Sequence, residues 1–120
     1  MDKGSHSGLL HIVDGLRFSL RGLRAALRYA EAFRQELFVF AAGVVLAAIF
    51  GETALERAVL IGVMFPVLIA ELFNTAIETV VDRVGPEWHE LSGRAKDLGS
   101  AAVFISILGA ATVWGLVLFG

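Results

Sequence analysis

The sequence predicts an all-α membrane protein: one N-terminal amphipathic surface helix followed by three transmembrane helices. Three observations carry that prediction. Apolar residues make up 57% of the 120-residue chain, and a mean hydropathy of +0.74 exceeds that of an ordinary soluble domain. Three long stretches are nearly free of charge. Ahead of them a leucine stripe and an arginine stripe share one helical period. The length suits a single domain. A formal net charge of −2 leaves no basic excess that would point to nucleic acid, and the absence of cysteine excludes disulfides and thiolate metal sites.

The first eight residues are polar and rich in glycine and serine, without the apolar core of a cleaved signal peptide. The first span is therefore expected to act as its own insertion signal. Residues 9–30 read as the surface helix. Leu9, Ile12, Val13, Leu16, Leu20, Leu23 and Leu27 recur at three- and four-residue steps. Arg17, Arg21, Arg24 and Arg28 keep the same period on another face. That pattern suits a helix lying among lipid headgroups, although the outer face of a packed bundle would give it too.

The first span is placed at 33–51. Its uncharged stretch from Leu37 to Phe50 is short for a bilayer that needs about 20 residues, so the start is set back to Phe33. The second span is placed at 58–81, where Pro66 frees a carbonyl one turn earlier and is positioned to kink the helix. A loop at 82–97 follows, broken from the span by Gly85-Pro86. The third span, 98–119, carries small residues that allow close helix approach, with Trp114 near its end as an interfacial anchor. Lys3, Arg17, Arg21, Arg24 and Arg28 before the first span, Arg34 at its start, and Arg83, Arg94 and Lys96 in the 82–97 loop outnumber the lone Arg57 on the other side. The N-terminus and the 82–97 loop are thus expected in the cytoplasm.

Span two carries Glu71, Asn74 and Glu78, with Asp82 just beyond. These fall within roughly 80° on a helical wheel and run ~16 Å along one stripe. Each ionisable residue at such depth costs about 2.5–3.5 kcal/mol even on a lenient insertion scale. The stripe suits general-base chemistry, a proton or ion path, or interhelical hydrogen bonding. The adjoining loop gathers Glu87, Trp88, His89, Lys96 and Asp97 at the cytoplasmic rim. Phosphoryl transfer needs carboxylates for a divalent cation, a cation for the moving phosphoryl group and a base for the attacking hydroxyl. No Walker A or protein-kinase glycine loop is present.

The residues AELFNTAIE at 70–78, VDR at 81–83 and EWHELSGRAKDLGSAAV at 87–103, with RGLRAA at 21–26 and AFRQE at 32–36, resemble the prokaryotic integral-membrane diacylglycerol kinases from about residue 11 to 120. The resemblance implies a homotrimer in the bacterial inner membrane that uses MgATP to convert diacylglycerol to phosphatidic acid, with active sites where protomers meet. It implies Glu71 as general base, Asn74 as its orienting neighbour and Glu78 as a Mg²⁺ ligand. Glu78, Glu87, Trp88, His89, Lys96 and Asp97 would hold the nucleotide, joined by His11, Phe18 and Ser19. Arg24, Ala32, Phe33, Arg34, Gln35, Glu36, Ser100 and Trp114, with Glu71, would line the lipid path. Three positions depart from the family pattern. Ala30 stands where the family has a metal-binding glutamate, leaving Glu31, about 100° around the helix, as the candidate second ligand. His11 replaces an arginine, and Phe18 replaces a tyrosine. Two alternatives stay open: an undecaprenol kinase, and a non-enzymatic membrane oligomer or proton-conducting subunit.

Overall fold

The computed structural model describes residues 8–120; Lys3 of the orientation argument lies outside them. The described residues form five helices and no strand: α1 (Gly8–Tyr29), α2 (Glu31–Phe50), α3 (Ala54–Gly62), α4 (Phe65–Val84) and α5 (Glu90–Phe119). Three segments are long and apolar enough to cross a bilayer: Glu31–Phe50, Ala54–Val84 and Glu90–Phe119.

α1 buries only Ala26. Its leucine stripe is exposed along its whole length, so no other described residue covers it. Arg21 lies over the Phe18 ring at 5.5 Å and Arg28 over Tyr29 at 5.4 Å. The helix stops where Ala30 turns extended. Arg34 then reaches back, its Nη1 donating to the carbonyls of Leu27 at 3.0 Å and Arg28 at 3.2 Å. Those carbonyls have lost their helical partners, and a cation suits that end of a helix dipole. Below this junction Ala26, Ala30 and Phe33 form a small core, covered by Leu37, Leu68 and Leu72.

At the far end of α2 the chain reverses through buried Gly51, where a Cβ would stand 2.6 Å from both the Ala47 carbonyl oxygen and Arg57 Cγ. Thr53 caps α3 by accepting from the Glu56 amide at 3.1 Å, and the Glu56 carboxylate accepts from the Glu52 amide at 3.0 Å. This N-cap, with Glu56 reaching back past Thr53 to the preceding amide, starts the helix at Ala54, earlier than the expected 58.

The second membrane segment is two helices. The Met64 amide donates to Ile61 at 3.1 Å rather than to Leu60, and Pro66 has no amide to offer Gly62. The Leu60 carbonyl so released accepts from the Trp114 indole at 2.9 Å. Trp114 thus tethers α5 to the break between α3 and α4. An unpaired carbonyl at membrane depth is costly enough to hold the ring there.

α4 and α5 pack together more extensively than any other pair. Gly99 is buried, and a Cβ on it would collide with the Asn74 Oδ1. The connection between these helices is also shorter than the expected 82–97 loop. α4 continues to Val84 and α5 begins at Glu90, because the His89 Nδ1 accepts from the Leu91 amide at 3.0 Å and caps the new helix. Residues 90–97 are the first two turns of a long helix that runs into the third span.

Candidate functional site

Glu71 is the one buried charged side chain among the described residues, at 5% exposure. It sits two turns into α4, where period and depth place it in the helical interior. Asn74, one turn on, is half-buried against it. On α2, half-buried Glu36 lies within electrostatic reach of Glu71. The Oε2 of Glu36 and the Oδ1 of Asn74 are both buried without a hydrogen-bond partner. Two polar side chains beside Glu71 thus keep unspent acceptor capacity, which is uncommon for buried groups and calls for an outside donor. A hydroxyl group is such a donor.

Further along α4, Glu78 and then Asp82 are exposed. The stripe therefore grades from a buried acid to open ones as it approaches the α4–α5 turn. Lys96, half-buried on α5, donates to Asp82 Oδ1 at 3.1 Å. That pair is surface-exposed enough to contribute little to stability and to exchange readily for another anion. Glu87, Trp88 and Asp97 are exposed around it. Arg94 pairs with Glu90 one turn away at 3.7 Å.

The residues of the sequence-based lipid and nucleotide sets have varied places. His11, Phe18, Ser19 and Arg24 lie exposed on α1, and the Ser19 hydroxyl donates to the Gly15 carbonyl at 2.9 Å. Glu31, Ala32, Arg34 and Gln35 are exposed in the first turns of α2, while Phe33 is core. Arg34 is engaged in closing α1. His89 spends Nδ1 on capping α5, leaving Nε2 for any ligand. Ser100 is exposed on α5, beside the buried Gly99. Ala30 is packed in the apolar core under α1, whereas Glu31 projects outward. Sequence reasoning missed the Lys96–Asp82 link and the meeting of Glu36 with Glu71, since both join different helices. It also missed Gly99 as the residue that admits Asn74.

As metal donors, Glu78 and Glu31 offer carboxylate oxygens, the hard ligands that Mg²⁺ prefers. Mg²⁺ commonly takes only one or two carboxylates and completes its shell with water and phosphate oxygens. Among the described residues no three acids or histidines come together as a cation site. The donor set thus fits a phosphate-bridged Mg²⁺ better than a protein-enclosed one.

Residues 17–118 match the family model for prokaryotic diacylglycerol kinase. The diacylglycerol kinase of Haemophilus influenzae is 46% identical over 113 residues, covering 94% of this chain and 96% of that one. That of Escherichia coli K12 is also 46% identical over 113 residues, covering 94% and 93%. The Pseudomonas aeruginosa enzyme of the same name is 40% identical over 114 residues, covering 95% and 93%.

Proposed function

This chain belongs to the prokaryotic diacylglycerol kinase family, and we propose on that premise that it transfers the γ-phosphoryl group of ATP to the free hydroxyl of a membrane diacylglycerol. The products are phosphatidic acid and ADP. A multi-pass membrane protein with lipid-kinase chemistry has to bring a water-soluble donor to a lipid-soluble acceptor. The gradient along α4, from buried Glu71 to exposed Glu78 and Asp82, supports that division of labour.

The observation that carries the reading is Glu71, a carboxyl group buried in a membrane segment beside acceptor atoms that lack partners. In the proposed reaction Glu71 takes the proton of the acceptor hydroxyl. The lipid oxygen forms its bond to the γ-phosphorus as the bond from phosphorus to the β–γ bridging oxygen breaks, leaving ADP. Asn74, admitted by Gly99, orients the base. Lys96 leaves Asp82 to meet the charge on the transferring group. Glu87, Trp88, the free Nε2 of His89 and Asp97 flank the nucleotide. Glu78, with Glu31 as its candidate partner, would hold Mg²⁺, which neutralises phosphate charge when bound.

A homotrimer is the proposed state, supported by membership of the family, and the exposed apolar face of α4, with Phe65, Ile69, Phe73 and Val80, is open to lipid or to further copies. A neighbouring protomer would then supply the rest of the nucleotide site. The proposed setting is the bacterial inner membrane, with the N-terminus and the α4–α5 turn in the cytoplasm beside ATP. The relatives' shared name supports diacylglycerol over undecaprenol as acceptor. Purified protein with labelled ATP, offered both lipids side by side, checks that choice. Glu71→Gln should reduce lipid phosphorylation by at least about a thousandfold while keeping the wild-type oligomer on gel filtration. Near-normal turnover in that variant would remove Glu71 from the role of base. A chain that phosphorylated neither lipid would return the reading to a non-enzymatic oligomer.

A further inference from the structure

The corner between α1 and α2 is one residue wide. α1 ends at Tyr29, α2 starts at Glu31, and Ala30 between them is extended, with φ −105° and ψ 99°. Two soft dihedrals are then the only covalent control over the angle between helices of 22 and 20 residues. Packing adds little along most of α1, where Ala26 is the one buried residue. Gly8, Gly15 and Gly22 share the face of Ala26 to within about 40°. A Cβ on any of those three would meet nothing within 4 Å. Along this face α1 therefore meets the body of the fold at its last turns and is open further out.

Arg34 bridges the corner. It lies one turn into α2, and its Nη1 donates to the carbonyls of Leu27 at 3.0 Å and Arg28 at 3.2 Å on α1. Its own backbone is fixed, the amide donating to the Ala30 carbonyl at 3.2 Å and the adjoining Phe33 lying in the small core. Corner, arginine and last turn of α1 form a triangle, so a change of angle has to break a hydrogen bond. The leverage is large. From residue 28 back to His11 is about 26 Å at 1.5 Å per residue, so a swing of about 10° moves His11 by roughly 4–5 Å and Ser19 by about 2 Å. A misplacement of about 1 Å costs on the order of a hundredfold where reacting groups must be aligned.

We propose that Arg34 is a positioning residue for phosphoryl transfer: it braces the α1–α2 corner and so sets where α1 presents His11, Phe18 and Ser19 to the nucleotide. The proposal rests on the lipid-kinase reading and deepens it. It gives Arg34 a task other than the lipid contact expected from the sequence, because the carbonyls that hold its Nη1 belong to this chain. Both bonds are exposed, and exposed polar contacts add little to global stability. What they fix is direction.

The corner angle is measurable without turnover. The chain has no cysteine, so Leu16→Cys on α1 and Val45→Cys on α2 place one spin label on each arm, at exposed positions. Double-labelled protomers, diluted into excess unlabelled protein in nanodiscs, are read by pulsed dipolar EPR. Arg34→Ala should shift or broaden the distance distribution by at least about 3 Å, whereas Arg34→Lys, a cation of similar reach, should stay close to wild type. Arg34→Gln keeps a donor without the reach and should behave like the alanine variant, which preserves the comparison if that variant fails to assemble. An unchanged distribution in the shortened variants overturns the brace.

Kinetics then separate positioning from contact. Arg34→Ala should raise KM for ATP at least about fivefold and leave KM for diacylglycerol within about twofold, with Arg34→Lys recovering most of the difference. A rise confined to the lipid KM would mean that Arg34 touches the acceptor, and a fall in kcat alone would mean lost enzyme. Either result sinks the proposal. Affinity for a non-hydrolysable ATP analogue should fall in Arg34→Ala by a factor similar to the rise in KM. A chain that bound the analogue in this Arg34-dependent way but phosphorylated no lipid would overturn the kinase reading and keep the brace. An active kinase whose analogue affinity ignored Arg34 would do the reverse.

Discussion

At the residue scale, several side chains hold structural and chemical duties that substitution can separate. His89 caps α5 through Nδ1. His89→Ala should lose about 1 kcal/mol of stability as a missing cap, whereas His89→Asp should restore the cap. If His89 also meets the nucleotide, the aspartate variant regains thermal stability in detergent yet keeps a raised KM for ATP. Gly99 gives a second case. A methyl group there would push against Asn74, so Gly99→Ala should cost about 1–3 kcal/mol by overpacking. Turnover should fall further than unfolding explains, measured as kcat at temperatures where the variant stays folded. The Glu71, Asn74 and Glu78 stripe was legible from spacing alone, because one helix carries all three. Glu36 was nameable as part of a lipid path, but its approach to Glu71 depends on how α2 leans on α4. No periodicity encodes that angle. Ala30 is instructive in the same way: its place in an apolar core under α1 follows from the extended turn that ends α1.

At the scale of elements, hydropathy located three membrane segments but overlooked how their ends are made. The Thr53-to-Glu56 pattern is an N-cap signal written openly in the sequence. Polar residues between apolar runs nevertheless read as loop, and α3 gained four residues from them. The same bias turned the first turns of α5 into loop, since a helix leaving the membrane carries charges there. Pro66 was read as a kink, and the structure makes it a full break between α3 and α4. That break and Trp114 are energetically linked. Trp114→Phe leaves the Leu60 carbonyl unpaired and should destabilise by about 1–3 kcal/mol. Pro66→Ala favours a continuous helix in which the Met64 amide can reclaim that carbonyl. The double variant should therefore be less destabilised than the sum of the single ones, by at least about 0.5 kcal/mol in a thermal-denaturation cycle.

For the whole molecule, orientation is open to direct measurement because the chain has no native cysteine. A cysteine at Ser92 should react with a membrane-impermeant maleimide only after the cytoplasmic face is exposed. One at Glu52 should react from the opposite face. Reversal of the two would refute the basic-residue argument. Assembly was not legible in this way, since an apolar helix face looks the same whether lipid or protein covers it. The exposed apolar stretches described above, from Leu9 to Phe119, have one further meaning. A bilayer already solvates them before the helices dock, and the helices keep their backbone hydrogen bonds when they come apart. Disassembly of this fold would expose little new surface to water, so its denaturant dependence should be shallow for its size. Its melting point should respond to acyl composition of the host membrane more than to chaotrope.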